Sequence, residues 1–176
     1  ATARKLSSQL EWSADEGYHY WTQDMYGETS SYLDAVHGFV ATALPLIRGR
    51  HLLAANGWAA WRDCIANTVQ RTAERDGELV NWRPRLSSPR GGPKLVQFCH
   101  GAPGFVICLA AFPDDSLDDL LAAACETTWV AGQSRKVSNL CHANGANGDA
   151  ILQLYPAFGE AKGRARRRAR AQHAVD

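Results

Sequence analysis

Three turns, each carrying a histidine and each leading into an apolar segment, set the frame of this chain. They are His37-Gly38, Cys99-His100-Gly101 and Cys141-His142, with histidines 63 and then 42 residues apart. Recurrence at such intervals lies in the range of stacked helical hairpins. It favours short helices joined by close turns over any sheet-based architecture.

The hydrophobic periodicity agrees with that frame. Tyr32, Leu33, Val36, Val40 and Leu44 recur at helical spacing and predict a helix running to Pro45, which should end or kink it. Trp58, Trp61, Ile65, Thr68, Val69 and Thr72 predict one face of a second helix from about Gly57 to Arg75, with Gly77 as its terminator. Residues 80–94 hold three prolines and two glycines and read as a long loop. GFVICLAAF reads as a short buried helix, and Ser116 with Asp119 as a capping box for the helix beyond. GDAILQLYPAF and a basic helix close the chain, while residues 1–30 look polar and irregular. No run alternates with a strand period. The expectation is one all-α domain over residues 1–176, with 1–16 and 175–176 as candidate disordered ends.

Composition narrows the functional classes. With 19 basic and 18 acidic residues the net charge is +1, which exerts no global pull toward nucleic acid or an anionic membrane. Arg164, Arg166, Arg167, Arg168 and Arg170 form a local basic run, read as a solvated helix face because no aromatic residues interleave with it. No apolar stretch is long enough for a membrane span, and no signal peptide is visible. Five cysteines at irregular spacing argue against a disulfide framework, so a cytoplasmic protein with reduced thiols is expected. Cys64, Cys108 and Cys125 sit in apolar helical patterns and read as small buried hydrophobes.

Cys99, His100, Cys141 and His142 are a different matter. Thiolate and imidazole are the donors Zn²⁺ takes in tetrahedral sites, and three protein ligands with one open position make such a site catalytic. From the residues alone, four ligands are available and no set of three is singled out.

The motifs KLVQFCHGAPGFV, YLDAVHGFV and RKVSNLCHANGANGDAILQLY, with WTQDMYG and NWRP, resemble the lanthionine synthetase C-like family over most of residues 17–174. The resemblance implies an α/α toroid of helical hairpins, here an incomplete half-toroid, since family members are longer at the N-terminal side. It implies a zinc ion on Cys99, Cys141 and His142, with His37 and His100 as the catalytic proton-handling residues. It implies Lys136 as a contact for a glutathione carboxylate; Lys94 has the same offset before Cys99. The implied reaction is zinc-dependent addition of a thiol to dehydroalanine or dehydrobutyrine, forming a thioether. Lantibiotic-type cyclisation and glutathione addition are its two forms. The partners would be a dehydrated peptide or protein, glutathione, and a partner chain or second copy covering exposed helix faces.

Four positions depart from the family pattern: Asp34, Ala41, Ala143 and Ala146 stand where glycine is usual. Where the backbone needs positive φ, each replacement would add strain. That gives the alternative expectation, a catalytically inert zinc-binding helical module that acts by protein interaction.

Overall fold

The computed structural model describes residues 2–25, 27–131, 147 and 150. Among them are five α-helices: α1 (Thr2–Ser8), α2 (Phe39–Arg48), α3 (Ala55–Thr72), α4 (Ala102–Leu109) and α5 (Asp118–Val130). There are also three antiparallel hairpins. β1 (Glu11–Ser13) pairs with β2 (Tyr18–Tyr20), β3 (Gln23–Met25) with β4 (Glu28–Ser30), and β5 (Glu74–Asp76) with β6 (Leu79–Asn81). The all-α, half-toroid expectation is therefore corrected: helices build the core, but hairpins frame it. Strands of three residues are too short to show a two-residue alternation, so the sequence pattern could not register them.

α3 follows its periodicity closely. Trp61, Ile65, Thr68, Val69 and Thr72 are buried along one side, as a 3.6-residue repeat requires. It ends three residues before Arg75 because Ala73 turns to an extended backbone and Glu74 enters β5. Gly77 does not terminate this helix. It is the first loop residue of the β5–β6 hairpin, at φ 58°, the left-handed geometry that primed two-residue turns demand. The hydroxyl of Thr68 fastens the helix to β2, accepting from the His19 N–H at 3.2 Å and donating to the His19 carbonyl at 2.9 Å.

α4 is buried nearly all round and lies between α2 and α5. Phe105, Val106 and Leu109 pack with Phe39, Val40 and Ile47 of α2 and Leu120, Leu121 and Ala124 of α5 in one core. Trp82, fully buried, stacks on Phe105 with ring centres 4.0 Å apart and planes 6° from parallel. Such a pair contributes about 0.5–1.5 kcal/mol beyond the burial of its area. The indole N–H donates to the Val69 carbonyl at 3.0 Å, so the ring leaves no polar atom stranded.

Two local expectations change. α2 begins only at Phe39, and Pro45 sits inside it; the helix ends at Gly49, whose N–H donates to the Pro45 carbonyl at 2.9 Å. The cap ahead of α5 is Asp114, not Ser116. Its carboxylate accepts from the Ser116 N–H at 3.0 Å and starts a 3₁₀ turn over Asp115–Leu117. On the outer side of β6, the Thr127 hydroxyl of α5 accepts from the Val80 N–H at 2.9 Å and lies 2.7 Å from the Val80 carbonyl, to which it donates.

Candidate functional site

The Cys99-His100-Gly101 turn is built by an amide from β6. Asn81 Oδ1 accepts from the Trp82 N–H at 2.9 Å and from the Ala102 N–H at 2.8 Å, while its Nδ2 donates to the Leu95 carbonyl at 3.2 Å. One side chain thus ties the end of a hairpin, the stretch leading into the Cys99 turn and the start of α4. Gly101 stands at φ 112°, and a Cβ there would lie 2.0 Å from the Leu95 carbonyl oxygen. A Cβ on Gly104 would lie 2.1 Å from the Phe98 carbonyl oxygen and 2.6 Å from Ala35 Cβ. The two glycines therefore let the turn close on itself and let α4 seat against residue 35. Cys99 is buried at the centre, and Gln97 Nε2 donates to its sulfur at 3.1 Å.

The His37 turn faces it. Gly38 allows a close backbone approach, since a Cβ would fall 2.2 Å from the Asp34 nitrogen. Asp34 Oδ1 accepts from the Val36 N–H at 2.9 Å and the His37 N–H at 2.7 Å, and this turn is why α2 does not extend back to Tyr32. The Asp34 side chain is fully buried, and its Oδ2 lies 2.9 Å from His100 Nδ1. The approach is close but off the line of an ideal hydrogen bond, and neither atom has another hydrogen-bond partner among the described residues. His100 itself keeps a quarter of its side chain exposed. Tyr32 presents its ring to His37 edge-on at 5.7 Å, with the Arg85 guanidinium 4.6 Å over its centre.

The family model for lanthionine synthetase C-like protein matches residues 2–175. The chain belongs to the lanthionine synthetase C-like family. In this family member the described residues include Cys99, His100 and His37, and Asp34 links the two histidine turns. Cys141, His142 and Lys136, like Ala143 and Ala146, lie outside the described residues. Among the described residues no three His, Cys, Asp or Glu side chains form a group able to hold a metal. Cys99 supplies one buried donor of the right chemistry, and completing a set of three would fall to Cys141 and His142.

Two of the glycine replacements look different in place. Ala41 lies inside α2 on helical backbone, where alanine carries no strain. Asp34 makes three polar contacts from a buried position, so it adds a function to the turn that glycine could not supply. Lys94 is not directed to a ligand: its ammonium sits 3.0 Å from Glu74, which also accepts from the Gly91 N–H at 2.8 Å and pins the long loop. Burial pushes the Cys64 and Cys108 thiols up to about 12, which removes them as nucleophiles at neutral pH.

Sequence reasoning missed Asn81, Gln97 and Asp34 as parts of this site. The signal for Asp34 was its spacing: an aspartate followed two and three residues later by unpaired turn amides is an Asx-turn pattern. Asn81 opens NWRP, but nothing in one sequence says that its amide reaches residue 102.

Proposed function

We propose that this chain adds a thiol to dehydroalanine or dehydrobutyrine in a peptide or protein, forming a thioether in a zinc-dependent reaction. The observation that supports the reading best is the buried Cys99 sulfur held in a glycine-locked turn beside a part-exposed His100. Cys99, Cys141 and His142 would hold the metal, whose chemistry would be to supply the incoming thiol as an anion near neutral pH. Cys99 would serve as thiolate, with the Gln97 amide donating to it and limiting its rotation. His100 and His37 would handle protons: one giving a hydrogen bond or proton to the developing enolate, the other delivering a proton to its carbon. Lys136 would receive a carboxylate of the thiol substrate, with glutathione as the probe of that class. No helix among the described residues is long and apolar enough to cross a membrane, and a reducing compartment such as the cytoplasm would keep the thiols free.

The test uses the full chain. Purified protein should carry about one zinc per chain, and Cys99→Ala should lose it while keeping its helical circular dichroism. Glutathione and a dehydroalanine peptide, incubated with wild-type protein, should give an adduct heavier by one glutathione; no adduct above the uncatalysed background would reject the reaction.

A further inference from the structure

We infer that Asp34 is a positioning residue that orients both histidines of the site, holding the His37 turn with one carboxylate oxygen and the His100 ring with the other. Its Oδ1 takes the Val36 and His37 amides, and its Oδ2 sits 2.9 Å from His100 Nδ1. A carboxylate that is fully removed from water needs compensating partners. Two amides bond one oxygen, and the His100 imidazole is the group set against the other, 2.9 Å away though not aligned as a hydrogen bond. The main chain of the same residue is held as well: a Cβ on Gly38 would fall 2.2 Å from its nitrogen, and its carbonyl accepts from the Ala41 N–H at 3.2 Å. With the backbone fixed, the carboxylate can swing away from His100 only by giving up the Val36 and His37 amides.

The consequence is a choice of tautomer. With Nδ1 turned to the carboxylate, a neutral His100 carries its proton on Nδ1 and leaves Nε2 as the acceptor. The turn holding His37 and the ring of His100 then move as one unit, although 63 residues separate them in the chain. A glycine at residue 34 would have neither contact.

The structural part of this inference stands without the thiol-addition reading; only its activity arm rests on it. The ¹⁵N shifts of the His100 ring are read on the full chain well above the ordinary imidazole pKa of about 6.5. Wild-type protein should show the Nδ1–H tautomer, and a ring protonated on Nε2 instead would overturn the inference without any variant being made. Asp34→Ser keeps a hydroxyl for the turn amides but is too short to reach His100. It should shift the ring toward the Nε2–H form and lower the rate of glutathione adduct formation by roughly ten- to a hundredfold. Asp34→Asn keeps an oxygen for the turn amides but turns an N–H₂ donor to His100 Nδ1, so it too should shift the ring toward the Nε2–H form; an Nδ1–H tautomer retained there would also reject the inference. A wild-type tautomer retained in Asp34→Ser would reject the inference. A tautomer that shifts as expected in a protein that forms no adduct supports the positioning and rejects the thiol-addition reading alone.

Discussion

Gly77 and Gly101 share a positive φ, 58° and 112°, and differ in everything around them. At the β5–β6 hairpin a Cβ on Gly77 would meet nothing within 4 Å, whereas at the Cys-His turn a Cβ on Gly101 would run into the Leu95 carbonyl at 2.0 Å and Asn81 Oδ1 at 2.9 Å. One glycine answers a demand of backbone rotation only. The other answers that demand and a demand for space, because three chain segments converge where it sits. The difference separates a turn that merely reverses the chain from a turn built to hold a side chain still.

Substitution should expose the contrast. Gly101→Ala is expected to cost about 3 kcal/mol or more, since strain and overlap add; urea unfolding checks it, and under the proposed function the metal content should fall with it. Gly104→Ala, where only space is lacking, should cost less, about 1–3 kcal/mol. A Gly101→Ala protein as stable as wild type would break the comparison. Gly77→Ala should cost about 1–2 kcal/mol, the ordinary penalty for a left-handed residue, with no effect on the Cys-His turn.

The smallest effect concerns the loop between these two turns. Burial raises the Glu74 pKa, but the Gly91 N–H, Lys94 and Arg83 lower it further, leaving it below its ordinary 4.5. A carboxylate depressed in the folded state adds stability that is complete above the unfolded value and is lost as pH falls through the folded one. Glu74→Gln should therefore lower the urea midpoint near neutrality and flatten its decline on the acid side. Parallel acid limbs in the two proteins would show that Glu74 contributes nothing to this dependence.

What could be read in advance follows from how local each signal is. α3 declared itself because a buried face repeats every three or four residues. Of the three cysteines read as buried from such patterns, Cys108 is buried, while Cys64 and Cys125 are only partly so. Asp34 was read as a lost glycine because a single sequence shows what is absent from a motif, not which imidazole 66 residues away receives the new side chain. Asn81 and Gln97 were silent for the same reason. The hairpins were hidden by brevity, and Gly77 was misplaced because a helix terminator and a hairpin turn ask the same thing of the backbone.

The Thr127 hydroxyl at Val80 has a consequence for the molecule in a crowd. β6 pairs with β5 on one side, and its other side would present a bare amide and carbonyl to any passing strand. At Val80 both groups are already taken by a side chain from α5. A hydroxyl occupies the place of a third strand but offers nothing onward for a fourth to copy, so on that side the sheet is closed to intermolecular growth.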